Sequence, residues 1–357
     1  MGKKTNKKNP LLRGALLGCG HISKYHLIGW SQINDVEIVA LANRTKNKAE
    51  QRAKEFGIPL EHVYSDHRDL LDNENIDFVD IATAPEIHKI QVQDAAAHKV
   101  NIFCQKPFAP TIQDAESMIE KCNQAGVILA INDNWRWRSW YRDLKFLIED
   151  GAVGNPRYIR IVRHNDLVLP TPDGGTPLVF LNQPYMKTLD KLILYEWGIH
   201  LIDVLRFLFG DVKSVYARMD HTGPINKGED RALVTLDVGN VICLIDICWA
   251  SYSAEKDFSQ LEQVTLEGDR GTIELLPGKE DILRVSNQNG TYQRPAFVGL
   301  PDDAYQASYT ACQQHFSDSL LHGFTPETHA NDNLRTLKAA FAAYESAAQN
   351  KVQYLTD

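Results

Sequence analysis

The chain has 357 residues, with 38 Lys plus Arg against 46 Asp plus Glu and a formal net charge of −8. At roughly 100–200 residues per domain this length predicts two domains, each able to bury its own core. Hydrophobic residues at 43 % and charged residues at 24 % exclude a disordered, collagen-like or fibrous chain. The acidic balance argues against nucleic acid and anionic membrane as partners, so a small molecule is expected.

Residues 1–10 (MGKKTNKKNP) read as a basic flexible arm. The apolar stretch after it is interrupted by Arg13 and two glycines, which is not the pattern of a signal peptide. No apolar run approaches the roughly 18–20 residues of a membrane span. Six cysteines (Cys19, Cys104, Cys122, Cys243, Cys248, Cys312) form no C-x-x-C and no zinc-type spacing. They read as reduced thiols of a cytoplasmic protein, and no metal is expected.

Strands are predicted over Arg13–Leu17, Val36–Leu41, Phe78–Ile81, Asn101–Cys104 and Val127–Ile131. Between them fall helices over Lys46–Phe56, Ile87–His98 and Asp114–Gln124. This alternation implies parallel βαβ units, an α/β dinucleotide-binding domain over 11–133. The pattern then changes: a helix over Arg142–Glu149, a strand over Arg157–Arg163, a Pro/Gly-rich loop, a helix through Leu205, and strands over Ser214–Met219, Ala232–Val238 and Val241–Ala250. Gly239-Asn240 is a hairpin turn. Residues 134–357 are therefore expected to form a second α/β domain.

Gly18-Cys19-Gly20-His21-Ile22-Ser23 leaves a predicted strand and enters a predicted helix. Gly18 suits the tight turn, Gly20 a close approach to a pyrophosphate, and the helix N-terminus offers free N–H groups to the anion. Ser23 is a small substitute for the third glycine of the fingerprint. At the end of the second strand stands Asn43-Arg44-Thr45, where a carboxylate usually takes the ribose hydroxyl of NAD. Asn43 can bond a hydroxyl, and Arg44 can pair with a 2′-phosphate, so NAD or NADP is the expected cofactor, with NADP favoured.

Two more strand ends carry polar motifs, Thr83-Ala84-Pro85-Glu86-Ile87-His88 and Cys104-Gln105-Lys106-Pro107. Thr83, Ala84, Pro85, His88, Gln105 and Lys106 are assigned to the cofactor, although His88 also suits a structural place at a helix start. Further along stands Tyr195-Glu196-Trp197-Gly198-Ile199-His200-Leu201-Ile202-Asp203. With Asn134-Trp135-Arg136, Gly151-Ala-Val-Gly154, Gly228-Glu229-Asp230 and Gly268-Asp-Arg-Gly271, these segments make nearly the whole chain resemble the glucose–fructose oxidoreductase, inositol dehydrogenase and MocA (Gfo/Idh/MocA) family. The resemblance implies an N-terminal Rossmann domain, a C-terminal α/β domain with a large, mostly antiparallel open sheet, and a redox site in the cleft between them. It also implies that the Lys of a Glu-Lys-Pro motif and an Asp-x-x-x-His pair surround the reacting hydroxyl. Lys106 and His200 match; Gln105 stands for the Glu and Glu196 for the Asp.

On an α-helix Glu196, His200 and Asp203, at i, i+4 and i+7, share one face. Oxidation of an alcohol needs a group to take the hydroxyl proton, and His titrates in the right range. His200 is assigned as general base or acid, with Lys106 bonding the oxygen, or with the roles exchanged; Glu196 completes the catalytic set. Asn134, Trp135, Arg136, Trp197 and Asp203 are expected to meet substrate, together with Lys106 and His200. Indole faces suit the C–H surfaces of sugar rings, and Arg136 and Arg138 leave room for an acidic sugar.

The function expected is NAD(P)-dependent hydride transfer to or from a ring hydroxyl or ketone of a sugar, cyclitol or glycoside. The alternatives are a keto-sugar-forming enzyme with retained cofactor, a cofactor-assisted glycosidase and a non-catalytic dinucleotide sensor. Apolar residues on both faces of Val241–Trp249 predict a homodimer or homotetramer through the C-terminal sheet.

Overall fold

A computed structural model describes residues 11–252, 261–278, 280–297 and 301–355; the basic arm over 1–10 lies outside the described residues. The chain divides into two units, Met1–Asn132 with Tyr309–Asn333, and Asp133–Ser308 with Leu334–Asp357.

The first unit holds β1 (Leu12–Leu17), α1 (Ser23–Ser31), β2 (Val36–Ala42), α2 (Lys46–Phe56), β3 (Val63–Tyr64), α3 (His67–Asn73), β4 (Phe78–Ile81), α4 (Pro85–Ala97), β5 (Asn101–Gln105), α5 (Ile112–Ala125) and β6 (Leu129–Asn132). Its six strands are all parallel in the order β3-β2-β1-β4-β5-β6. Every residue of β4 and β6 is buried, as expected of strands covered on both faces, and apart from Asp80 and Asn132 they are apolar. The order reverses between β1 and β4, so ligand is expected beyond their carboxyl ends. Local chemistry sets the helix ends. Thr111 accepts the Asp114 N–H at 3.0 Å to start α5, and α2 stops at Gly57, whose φ of 73° is left-handed.

The second unit holds α6 (Ser139–Glu149), β7 (Pro156–His164), the short α7 (Leu178–Asn182), α8 (Ile199–Phe209), β8 (Val212–Asp220), β9 (Arg231–Val238), β10 (Val241–Cys248), β11 (Gln263–Gly268), β12 (Gly271–Leu276), β13 (Ile282–Asn287), β14 (Gly290–Pro295) and β15 (Gln353–Tyr354). The nine strands run in the order β14-β13-β12-β11-β7-β10-β9-β8-β15. All pairs are antiparallel except β7 with β10. The hairpin at Gly239-Asn240 forms with Val238 opposite Val241. One face of β9 and β10 is buried through Val234, Leu236, Cys243, Ile245 and Ile247. The other face mixes Leu233 and Ile242, which are exposed, with Thr235 and Asp237, so it is less apolar than the composition of Val241–Trp249 suggests.

Two long helices close the chain, α9 (Pro301–His322) and α10 (Ala330–Gln349). A single C-terminal domain over 134–357 is interrupted, because Tyr309–Asn333 joins the first unit. Buried Tyr309, Cys312 and Phe316 sit at i, i+3 and i+7, one helical face. Phe316 packs on Phe78 and Phe103 at centroid distances of 5.6 and 5.0 Å, and the Gln313 amide donates to the His26 carbonyl at 3.0 Å. Among the described residues no helix is long and apolar enough to cross a membrane.

Candidate active site

The loop after β1 is shaped for a dinucleotide. Gly18 has φ +101°, and a Cβ there would lie 2.7 Å from both the Ala82 carbonyl oxygen and Thr83 Cγ2; no other residue fits. At Gly20 a Cβ would meet nothing within 4 Å, so the backbone borders open space of the kind a pyrophosphate would fill. Ser23, fully buried, donates to the Gly20 carbonyl at 2.6 Å, so this position works through a hydrogen bond that glycine lacks. The first turn of α1 carries no acidic residue, which leaves its N–H groups suited to an anion. His21 is exposed and Ile22 half-buried, the latter packed against the Leu16, Leu27 and Leu41 cluster. Cys19 is buried, which pushes its thiol up to about 12; its part is played by its backbone.

Asn43 takes a role the sequence did not show. Its Oδ1 accepts the Cys19 N–H at 3.0 Å and its Nδ2 donates to the Thr45 carbonyl at 2.8 Å, so it ties the end of β2 to the glycine loop. Arg44 is exposed. A residue not singled out in sequence, Arg52 of α2, donates to the Gly20 carbonyl at 3.3 Å.

At the ends of β4 and β5 most of the motif residues serve the framework. Pro85 opens α4 at a position where no N–H is missed, with Ala84 as its N-cap. The Thr83 hydroxyl donates to Gln91 at 2.7 Å. His88 is fully buried, its ring nitrogens 3.2 and 3.1 Å from the Phe108 and Thr83 carbonyls. Burial holds its proton affinity below the usual range despite those carbonyls. His88 thus ties the β4 loop to the loop after Lys106, which leaves its ring no surface to offer a cofactor.

Gln105 is buried, and its orientation is fixed by its neighbours. Oε1 accepts the Lys106 N–H at 2.7 Å, so the amide nitrogen faces His26 Nε2 at 2.9 Å. His26 in turn donates from Nδ1 to Asp80 at 2.7 Å, beside the Trp30 N–H at 2.6 Å. Lys106 ends this chain half-buried, and its bond to Pro107 is cis.

The second unit supplies the histidine. Glu196 lies on a π-helical turn, Leu194–Gly198, that runs into α8, so the expected α-helical i, i+4 phase between Glu196 and His200 does not hold. A π turn takes an extra residue and rotates what precedes it, a local irregularity frequent at functional sites. Glu196 and His200 are both buried. His200 Nδ1 donates to Asp133 Oδ1 at 2.5 Å, a carboxylate that the sequence marked only as a domain boundary.

Trp135 stacks on His200 with ring centroids 4.6 Å apart and planes at 6°. It meets Trp197 edge-on at 5.0 Å, and the Arg138 guanidinium lies 3.7 Å over it. Trp197 also faces Trp249 at 6.5 Å, a tryptophan not singled out in sequence. The indole N–H groups of Trp135 and Trp249 are buried with no hydrogen-bond partner in the structure. The arginines are used inside the fold. Arg136 grips Asp203 through two bonds of 2.7 and 2.6 Å, and Arg138 bonds Glu262 at 2.8 Å. Asp203, expected against substrate, is fully buried and also accepts from Thr336 at 3.1 Å, so Arg136 and Asp203 brace α8 and hold no free fork for an acidic sugar. Asn134 is likewise buried and donates to Ser308 at 2.6 Å. Among the described residues no cluster of His, Cys, Asp or Glu is placed to hold a metal ion.

Residues 12–133 match the family described as "Oxidoreductase family, NAD-binding Rossmann fold", and residues 141–274 match the GFO/IDH/MocA C-terminal domain. The chain belongs to the Gfo/Idh/MocA oxidoreductase family. Of its Gfo/Idh/MocA relatives, a D-apiose dehydrogenase of Rhizobium rhizogenes is 34 % identical over 95 % of this chain and 96 % of its own length. A myo-inositol 2-dehydrogenase of Thermotoga maritima is 22 % identical over 95 % and 97 %. The crystal structure of an oxidoreductase from Agrobacterium radiobacter, in complex with NAD+, L-tartaric acid and magnesium, superposes with a TM-score of 0.88 at 33 % identity, covering 96 % of this chain and 98 % of that one. This Gfo/Idh/MocA chain is an NAD(P)-dependent dehydrogenase with a six-stranded Rossmann sheet and a nine-stranded, mostly antiparallel partner sheet.

Proposed function

We propose that this chain transfers hydride between a nicotinamide and a ring hydroxyl or ketone of a sugar or cyclitol. The observation that carries the reading is His200, held by Asp133 and stacked on Trp135, with the half-buried Trp197 edge-on to Trp135: a proton-accepting group near an indole that suits the C–H face of a polyol ring. The relatives that act on apiose and inositol support the same class.

When bound, the nicotinamide supplies the hydride acceptor or donor, and Gly18, Gly20 and the start of α1 would hold the diphosphate. Around the reacting oxygen, His200 takes the hydroxyl proton, and Asp133 stabilises the imidazolium that results. On the strength of its motif, Lys106 is assigned as the other candidate to exchange the hydroxyl proton.

A panel of sugars, cyclitols, sugar acids and glycosides, followed by the absorbance of reduced nicotinamide, tests this. Turnover of a free sugar or cyclitol with net reduction is expected. Glycoside hydrolysis without net reduction would replace the reading by a cofactor-assisted glycosidase, and binding of nicotinamide without any turnover by a sensor.

With no carboxylate among Asn43, Arg44 and Thr45 to repel a 2′-phosphate, we infer that NADP is accepted as well as NAD and that Arg44 sets the ratio. The open face of β9 and β10 with Leu233 and Ile242 is proposed to meet a second copy of the chain in a cytoplasmic dimer or tetramer; a monomer by light scattering would overturn this.

A further inference from the structure

Arg52 of α2 reaches back over the glycine loop. Its Nη2 donates to the Gly20 carbonyl at 3.3 Å and its Nη1 pairs with Glu55 at 2.5 Å. The side chain is only 15 % exposed, and Nε is buried with no partner in the structure. A guanidinium carries five N–H donors, and two are used here. The carbonyl it bonds belongs to the residue whose Cβ side opens on empty space, three residues before the start of α1 at Ser23. Arg52 also acts on the loop electrostatically. After partial burial it is the second cause that lowers the proton affinity of His21, and it opposes the burial that raises the Cys19 thiol. Asn43 is committed to the Cys19 N–H, so no neighbouring carboxylate from the end of β2 competes for this cation; Glu55, on the exposed side, does.

We propose that Arg52 is a diphosphate-recognition residue of the dinucleotide site, adding a fixed positive charge to the backbone N–H groups that the glycine loop and α1 provide, with Glu55 as its intramolecular competitor. This rests on the dinucleotide reading above. A charged, partly desolvated guanidinium with unused donors bonds a phosphate more strongly than the uncharged N–H groups of the loop do. The placement at Gly20, and not at Asn43-Arg44-Thr45, assigns it to the diphosphate and not to a 2′-phosphate.

Calorimetry on the full chain without substrate tests this with NAD+, ADP, 2′-AMP and adenosine as ligands for wild type, R52Q, R52K and E55Q. We expect R52Q to weaken NAD+ and ADP about tenfold while leaving 2′-AMP and adenosine within twofold. R52K should recover part of that loss, which a folding defect would not allow, and E55Q should bind ADP at least as tightly as wild type. ADP affinity in R52Q within twofold of wild type would overturn the proposal, as would an equal loss for adenosine or a loss confined to 2′-AMP. A wild-type chain that binds neither NAD+ nor ADP would instead overturn the dinucleotide reading itself.

Discussion

His200 Nδ1 and Asp133 Oδ1 are 2.5 Å apart, and both side chains are buried. A carboxylate at this distance fixes the imidazole ring and favours the cation formed when the ring takes a proton. D133N keeps the shape and removes the charge. It is expected to lower kcat about 100-fold or more while leaving NAD+ affinity within twofold, because Asp133 acts on the proton and not on the dinucleotide. E196Q should cost less than D133N, since the π turn takes Glu196 out of the phase that would place it under His200. Equal kcat in D133N and wild type would show that the pair only packs.

Arg136 and Asp203 form a two-bonded ion pair with side chains 5 % and 0 % exposed. Removing one partner strands a buried charge, so D203N should lower unfolding free energy by about 3–5 kcal/mol. An R136M/D203L double variant should lose much less than the sum of the singles. Urea unfolding measures this, and a D203N loss below about 1 kcal/mol would refute the bracing role.

Gln105 is committed on both ends, accepting from the Lys106 N–H and donating to His26. A glutamate there would set an acceptor against His26 Nε2, which is itself the accepting nitrogen while Nδ1 donates to Asp80. The ring must then take a second proton or the contact breaks. Q105E is therefore expected to show either a protonated His26 by ¹⁵N NMR at neutral pH or a displaced Lys106 with reduced turnover. An unchanged His26 spectrum together with unchanged kcat would discount the network.

Burial lowers the proton affinity of His88 below that of an ordinary histidine, about 6.5. Below that pH the unfolded chain binds a proton that the folded His88 resists, so this contribution to stability is complete above about 6.5 and is lost as pH falls through the folded value. His21 and His329 are lowered too, each chiefly by burial, and share the slope. H88Q should show a smaller loss of unfolding free energy between pH 7.5 and 5.5 than wild type; identical losses would mean His88 does not titrate in that window.

Arg44 is exposed at the end of β2, where it has no framework role to lose. R44A should lower the NADP-to-NAD ratio of kcat/KM about tenfold with little change in melting temperature. An unchanged ratio would remove Arg44 from coenzyme choice.

Most of the first unit was legible along the chain. Buried parallel strands read as mostly apolar runs. Gly18 and Gly20 announced the loop because backbone conformation and close approach are local demands. The strands β11–β14 were missed, since their sequences alternate weakly and β14 is exposed on both faces. Helix α9 was missed because its buried face of Tyr309, Cys312 and Phe316 is thin among polar residues. The same limit applied to the site. Lys106 and His200 could be named from motifs, but a motif does not show which side chains a residue is bonded to. Sequence by itself determined the dinucleotide loop and the strand–helix alternation of the first unit, which depend on local backbone geometry and residue type, and its family motifs named the second sheet and the candidates Lys106 and His200. Only the tertiary structure decided that Asp133 holds His200, that Arg136 belongs to Asp203, and that Arg52 lies over Gly20. Those are contacts between residues 32 to 67 positions apart, and chain order carries no record of which buried charges will find each other.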